Sequence, residues 1–476
     1  MAYFAFREKG RDRMASVHKL KERAAEQREA QNVKTFANRT TPETHYRALD
    51  RPDISYTRFF TRMNLYFEEY EKHKEIQNPP ISFADGVADP VEFRNSPLLT
   101  RLFGNAVEKH LYAGYSRARG EPQLLEAIIK YENLFVDRKY DTDNISMVNG
   151  VMRGTSLLLD VLVTYNRTNE FTHGLDEILV ILPNYPSLSG IALRLHDAGL
   201  TSFKTTLAQE TEDFSITASE VVRGITEKTR IMMLTNPNNP TGKYIPRREL
   251  EKIIEVCNEK RIYLLIDEIG DNYIFDEGSR KANYPININS EFVVRLRGPS
   301  KERNLAGVRI GYVLANKELI RDIEDQVPFS DGNPPKLAND FLIEDARLHY
   351  EVETCAPTTL EKDAITYKQE IEKNEQKLLD ARNYTIKRLH NMMGVRKVIA
   401  PEANFNLFVQ FAHEGGSHDL FEKILMTTGV IITPGICFGV PDSPDGAWMR
   451  FTFATSFEKL RRGLELIEYF LNTRGA

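Results

Sequence analysis

The chain contains 476 residues, of which 41% are hydrophobic and 28% charged, and its formal net charge is −5. Because a single core stops growing near ~250–300 residues, this length predicts at least two domains. Charges of both signs are mixed along the chain, so neither a nucleic acid nor a membrane is expected as a partner. No run approaches ~18 uninterrupted apolar residues and no signal peptide is indicated, so we expect a cytoplasmic protein. Cys257, Cys355 and Cys437 are far apart in the sequence and indicate neither disulfides nor a metal site.

Residues 1–80 are predicted to form an N-terminal helical arm. Residues 13–31 are strongly charged and rich in helix formers, and residues 55–76 show an aromatic-rich amphipathic pattern. The favoured interpretation is one or two helices that pack on the body or on a second subunit. The alternative is a lid over the functional site.

Residues 98–330 show helical patterns that alternate with short apolar runs. Helices are predicted over Leu124–Val136, Gly154–Tyr165 and Arg247–Asn258. Strands are predicted over Glu177–Pro183, Ile231–Thr235, Ile262–Ile266, Phe292–Leu296 and Val308–Leu314. This alternation predicts an α/β domain with a parallel or mixed sheet that helices cover on both faces.

Residues 81–97 and 331–476 are predicted to form a smaller α+β domain. A long charged stretch, Leu360–Asn391, has a helical pattern. The shorter elements predicted after it are strands over Phe405–Phe411 and Trp448–Phe453 and helices over Asp419–Met426 and Ser456–Phe470.

Three predicted strands of the large domain are followed by chemically functional residues. NPNNPTGK (236–243) follows the second strand, Asp267 follows the third, and Gly298-Pro299-Ser300-Lys301 follows the fourth. Functional groups in such sheets gather at the C-terminal ends of strands, so an amide, a carboxylate and a lysine are expected to lie together. A lysine can form a Schiff base with an aldehyde and, if its pKa is lowered, can act as a base.

The order and spacing of these motifs resemble those of the class I/II aminotransferases of the pyridoxal-phosphate (PLP) fold-type I superfamily. The matching motifs are NPNNPTG, the Asp-Glu pair at 267–268, Lys301 with NLAGVRIGY after it, and Arg450 in MRFTFA. The resemblance runs from about Ile81 to the C-terminus. It implies a large PLP-binding domain with a mixed, mostly parallel sheet flanked by helices, together with a smaller α+β domain.

The resemblance also implies how the chain would hold the cofactor ring. Lys301 would carry PLP as a Schiff base, and Asp267 would keep the pyridine nitrogen protonated so that the ring remains an electron sink. Asn239 would donate a hydrogen bond to the phenolic oxygen, and Tyr185 would stack on the ring. Each residue also has a purely structural interpretation. Lys301 could be a surface lysine in a turn, and Asp267 could cap a helix. The segment that contains Asn239 could be a simple turn, and Tyr185 could only pack.

The remaining implied contacts are to the phosphate and to the substrate. A helix start and an arginine suit a phosphate. The residues implied for cofactor binding there are Gly150, Val151, Met152, Ser300, Arg309 and, from a neighbouring subunit, Tyr115. The residues implied for the substrate are Arg450, which would grip its α-carboxylate, together with Asn239, Gly86 and Asn404.

Two positions depart from the family pattern. Gly270 stands where the family has a tyrosine that donates to the phenolic oxygen, and Gly298 stands where it has a serine or threonine that binds the phosphate. The glycine at 270 is expected to open space beside the cofactor, with Tyr273 or a water as a possible substitute donor.

These residues predict an aminotransferase that acts on a small α-amino acid and a 2-oxo acid. The resemblance further implies a homodimer with shared active sites. One alternative is a PLP-dependent decarboxylase, lyase, synthase or oxidase that uses the same residues. A second alternative, a non-catalytic or regulatory relative, is disfavoured because the lysine, aspartate, asparagine and arginine are all present.

Overall fold

A computed structural model describes residues 51–74, 78–165, 176–271, 275, 280–444 and 446–473. The helix predicted over residues 13–31 lies outside this part of the chain. The α-helices are α1 (Pro52–Lys72), α2 (Pro97–Glu108), α3 (Pro122–Glu132), α4 (Val151–Asp160), α5 (Pro186–Asp197), α6 (Ala218–Gly224), α7 (Arg247–Lys260), α8 (Arg280–Asn283), α9 (Lys317–Ser330), α10 (Asn339–Thr354), α11 (Lys362–His390), α12 (Gly416–Thr428) and α13 (Phe457–Thr473).

The strands fall into one large sheet and a smaller group. They are β1 (Ile81–Ser82), β2 (Ile145–Val148), β3 (Glu177–Leu182), β4 (Ser202–Leu207), β5 (Thr229–Thr235), β6 (Tyr263–Asp267), β7 (Val293–Arg297), β8 (Gly311–Leu314), β9 (Val395–Ile399), β10 (Asn406–Phe411), β11 (Val430–Ile431), β12 (Thr433–Pro434) and β13 (Ala447–Thr452).

The large sheet has seven strands in the order β2-β8-β7-β6-β5-β3-β4. Strands β4, β3, β5, β6 and β7 are parallel, whereas β8 is antiparallel to both of its neighbours. The inner strands are almost entirely buried, as expected when helices cover both faces of a parallel sheet. The predicted α/β fold with a mixed, mostly parallel sheet is confirmed.

The structure adds elements that the sequence pattern does not predict. Strand β2 has only four residues, and β4 is half-buried along its whole length, so neither gives a clear apolar signal. Helix α4 begins at Val151 rather than at Gly154, because Gly150 precedes it with a φ of 85°. Gly150, Val151 and Met152, the residues implied for phosphate binding, therefore lie at the start of this helix.

The second unit is built on a four-stranded antiparallel sheet in the order β12-β13-β10-β9. Helices α11, α12 and α13 pack around it, and its core contains buried side chains such as Phe405, Phe421 and Phe451. Strands β1 and β11 form a separate parallel pair. Helix α10 packs instead on α2 and α3 beside the large sheet. No helix in the described ranges is long and apolar enough to cross a bilayer.

Candidate active site

Lys301 lies in the turn after β7, and its side chain is half-buried. Its Nζ atom donates a hydrogen bond to the carbonyl oxygen of Gly86. Burial is the largest cause that lowers the pKa of Lys301 to about 8. The positive charges of Arg450 and Arg309 act in the same direction, and Asp267 opposes them. Near pH 8 much of this amine is therefore neutral, the form that attacks a carbonyl carbon or accepts a proton.

Asp267 is the last residue of β6 and is only 4% exposed. It accepts a hydrogen bond of 3.0 Å from the backbone N–H of Ile269. Burial raises the pKa of Asp267 to about 6, and this hydrogen bond and the charge of Lys301 oppose the shift. Within the described ranges Asp267 forms no ion pair. A buried carboxylate of this kind is stabilised by a ligand that brings a positively charged N–H group.

Arg450 lies on β13 and is also only 4% exposed. Its Nη2 atom donates to the carbonyl oxygen of Ala84 at 2.7 Å, and Nη1 donates to Oδ1 of Asn239 at 3.4 Å. The guanidinium lies 5.1 Å from the ring centroid of Phe438. The Nε atom is buried and has no acceptor among the residues that the structure describes. The guanidinium therefore retains an N–H group that can donate a hydrogen bond to an anion.

The first turn of α4 and Arg309 form a second place for an anion. A Cβ atom on Gly150 would lie 2.5 Å from Nη2 of Arg309, so only a glycine lets the guanidinium approach this helix start. Arg309 is held in turn by a hydrogen bond of 2.7 Å from Nη1 to the carbonyl oxygen of Ala306. The first-turn backbone N–H groups of α4 and the helix dipole add to the positive charge here.

Tyr185 stands directly before α5 and meets a residue that the sequence analysis did not select. The ring of Tyr56, on α1, lies 6.3 Å from the ring of Tyr185 in an edge-on arrangement. Burial raises the pKa of Tyr56, Tyr185 adds to the shift, and the positive charge of Arg450 opposes it. The only signal in the sequence was the aromatic pattern over residues 55–76, which is equally typical of simple packing.

Helix α1 is fixed to both parts of the protein. At its start, Arg51 lies 3.3 Å from Asp197 of α5. Further along, Arg58 and Arg62 lie 3.4 Å and 3.2 Å from Glu422 of α12. The helix also packs on the turn at residues 435–438. Helix α1 therefore lies across the border between the large sheet and the smaller unit, beside Tyr185.

The other predicted site residues are placed as follows. Gly86 contacts Lys301, since a Cβ atom there would lie 3.3 Å from Nζ. Ser300 is buried in the turn before the lysine, and the side chain of Met152 packs partly against the core. Tyr115 is 85% exposed, and the single chain does not bring it to the other residues.

The two departures from the family pattern have steric explanations. A Cβ atom on Gly298 would lie 2.9 Å from Cα of Gly311 on the neighbouring strand, so a serine has no room. A Cβ atom on Gly270 would overlap Nδ2 of Asn404. The expectation that Gly270 opens space beside the site is therefore wrong, because the Asn404 amide fills that space. Tyr273 lies outside the described residues.

Comparison with known proteins agrees with this architecture. The sequence model of the family described as aminotransferase class I and II matches residues 94–467. The aspartate aminotransferase of Pyrococcus horikoshii is 25% identical over 358 residues, which cover 74% of this chain and 82% of that protein. The aromatic-amino-acid aminotransferase 2 of Thermococcus litoralis is 24% identical over 397 residues, which cover 82% of this chain and 91% of that protein.

Solved structures show the same fold. A mutant of Thermus thermophilus aspartate aminotransferase superposes with a TM-score of 0.69 and 19% identity, over 86% of this chain and 96% of that one. The two-part architecture and the seven-stranded sheet are thus those of the aspartate aminotransferase fold. The chain belongs to the class I and II aminotransferase family and is a transferase of that class.

Proposed function

We propose that the protein is a PLP-dependent aminotransferase that transfers the amino group of a small α-amino acid to a 2-oxo acid and holds its cofactor through Lys301. The observation that carries this proposal is a set of three groups, which lie in the turn after β7, at the end of β6 and on β13. They are a lysine with a lowered pKa, a buried carboxylate that forms no ion pair with a described residue, and a buried arginine whose Nε–H has no acceptor among those residues. Such a set of perturbed groups is typical of a catalytic site.

Each chemical part of PLP has a matching group in this chain. The amine of Lys301 suits the aldehyde, and the buried carboxylate of Asp267 suits a protonated ring nitrogen. The helix start at Gly150, with Arg309 against it, suits the phosphate. Tyr185 and Asn239 would contact the ring, and Val151, Met152 and Ser300 would complete the cofactor-binding set.

The chain's own residues would bind the substrate and move a proton. When bound, PLP supplies an electron sink for the negative charge that develops at the substrate Cα atom. Arg450 would hold the α-carboxylate by two hydrogen bonds and so orient the Cα–H bond, with Gly86, Asn239 and Asn404 beside it. The Nζ atom of Lys301 would take the Cα proton and later return one, and a pKa of about 8 suits both roles.

A small substrate is supported by the aromatic side chains around Arg450. The ring of Phe438 lies against the guanidinium, and Tyr56 and Tyr185 are close enough to interact with its charge. Relatives named for aspartate and for aromatic amino acids are about equally similar to this chain, so their names do not choose between substrates.

The test uses the visible absorbance of the lysine-bound cofactor. Purified protein mixed with PLP should show this band, and Lys301→Ala should lack it, whereas the exposed Lys362→Ala should keep it. Addition of an amino acid without a 2-oxo acid should convert the cofactor once, stoichiometrically, to pyridoxamine phosphate. Repeated turnover without an acceptor would support a decarboxylase, lyase, synthase or oxidase instead. A band that survives in Lys301→Ala would refute the proposal.

A further inference from the structure

Asn404 occupies the place where a side chain at position 270 would begin. A Cβ atom on Gly270 would overlap Nδ2 of Asn404 and lie 3.1 Å from its Cγ. Gly270 has no positive φ, so its backbone would accept any L-residue, and the three atoms nearest to an added Cβ all belong to the Asn404 side chain. Asn404 itself has a φ of 67°, a left-handed conformation that asparagine tolerates better than most residues.

The Asn404 amide is held in one orientation. Its Oδ1 atom accepts hydrogen bonds from the backbone N–H of Phe405 at 2.7 Å and from Nδ2 of Asn406 at 3.3 Å. Two donors around one atom identify that atom as the oxygen and leave the NH₂ group toward Gly270. Asn404 is 6% exposed, yet its Nδ2 donates to no acceptor within the described ranges.

The NH₂ group faces the turn that follows β6, and Asn404 is linked through Asn406 to β13, the strand that carries Arg450. Gly270 is in the turn after Asp267 at the end of β6. Asn406 accepts a hydrogen bond of 2.8 Å from the hydroxyl of Thr452, which follows Arg450 on β13. A side-chain donor on a buried residue that has no acceptor in the described chain is available to a ligand oxygen.

We propose that Asn404 replaces the tyrosine that the family carries at position 270. Its Nδ2 donates a second hydrogen bond, beside Asn239, to the phenolic oxygen of PLP. Gly270 is a glycine because this amide needs the space. The inference rests on the proposed function, because the phenolic oxygen belongs to the proposed cofactor. It predicts that positions 270 and 404 are coupled sterically, and that Asn404 tunes the protonation of the lysine-bound cofactor.

The steric part is tested without cofactor by thermal unfolding of the apoprotein. Gly270→Ala should lower the melting temperature, and the same substitution in an Asn404→Gly background should lower it much less, because the amide is gone. Gly104→Ala is the matched control, since a Cβ atom there meets nothing within 4 Å. Equal effects of Gly270→Ala in both backgrounds would overturn the steric coupling.

The donor part is tested by a pH titration of the visible band of the PLP-loaded protein. A hydrogen bond to the phenolic oxygen favours its ionised form, so Asn404→Ala should raise the pH midpoint by about one unit. The double variant Gly270→Tyr with Asn404→Gly should restore the midpoint toward that of the parent protein. An unchanged midpoint in Asn404→Ala would show that Asn404 only fills space and does not donate to the cofactor. Absence of any band in the parent protein would instead refute the proposed function, whatever the unfolding measurements show.

Discussion

At the scale of single residues, the site contains buried charged groups whose desolvation destabilises the folded protein when no ligand is bound. Among the described residues, Asp267 has no ion-pair partner although it is buried and ionised at neutral pH, and the buried Nε–H of Arg450 has no acceptor. Each loses solvation on folding and forms no ion pair with a described residue that would fully compensate for the loss. These residues are therefore better explained by a ligand than by the stability of the fold.

The cost of Asp267 can be measured by Asp267→Asn in the apoprotein. The pKa of Asp267 is about 6 in the folded protein and 3.8 in the reference state. Because the folded pKa is the higher one, the folded state binds more protons between these values, and stability falls as pH rises from about 4 to 6. Asn404 and the other neighbours are unchanged in this variant. Asp267→Asn should therefore stabilise the apoprotein by roughly 2–3 kcal/mol at pH 7.5 and hardly at all at pH 4.

The same substitution should act in the opposite direction on cofactor binding. A ring N–H⁺ needs the ionised carboxylate, so PLP affinity should drop strongly in Asp267→Asn, as measured by titration of the visible band. The exposed Asp137→Asn is the control, with neither change expected. A variant that is less stable than the parent protein at pH 7.5 would contradict the assignment of Asp267 as an uncompensated buried charge.

At the scale of elements, two strand ends are fixed to each other by a buried ionic cluster. Glu268, next to the site aspartate, lies 2.7 Å from Arg295 and 2.9 Å from Arg297 of β7. Arg297 also lies 2.7 Å from Asp271, and Arg295 lies 3.3 Å from Glu132 of α3. Such clusters contribute little net stability but strongly constrain geometry. Here the constraint acts on the strands that carry the site carboxylate and the site lysine.

Helix α1 contributes Tyr56 to the site, and this contribution can be tested by substitution. Tyr56→Phe keeps the ring but removes the hydroxyl near Tyr185, so KM for the amino acid should rise about fivefold with a smaller change in kcat. Tyr56→Ala should also remove the aromatic ring beside Tyr185 and Arg450, and so shift the substrate preference toward amino acids with larger side chains. The control is Thr57→Ala, on the exposed face of the same helix. Unaltered KM and selectivity in both Tyr56 variants would show that α1 only packs on the body.

The elements also show why part of the structure could be predicted and part could not. Strands such as Ile231–Thr235 are apolar on both faces, and the motifs that follow them have fixed spacing, so the sheet and the site lysine could be predicted. The half-buried edge strand β4 lacks that signal. The steric clash between a side chain at position 270 and the Asn404 amide involves two residues that are far apart in the sequence. Only the three-dimensional arrangement reveals that one fills the space of the other.

At the scale of the whole molecule, Tyr115 is a predicted site residue whose side chain the single chain leaves largely in solvent. It is 85% exposed, and Val107 and Phe329 are exposed apolar side chains as well. This is compatible with a homodimer in which Tyr115 reaches the phosphate of the partner subunit's cofactor.

A shared site predicts complementation between two defective chains. Lys301→Ala removes the lysine of its own site, and Tyr115→Ala would damage only the site of the partner. Co-expression with two different affinity tags and tandem purification gives heterodimers with one doubly defective site and one intact site. Their activity should reach about half that of the parent dimer. The exposed Tyr469→Ala, alone, should remain active. Heterodimers no more active than Tyr115→Ala homodimers would show that each site is built from one chain. Only when the sites are shared across the interface can both substitutions fall in one site and leave the other site intact.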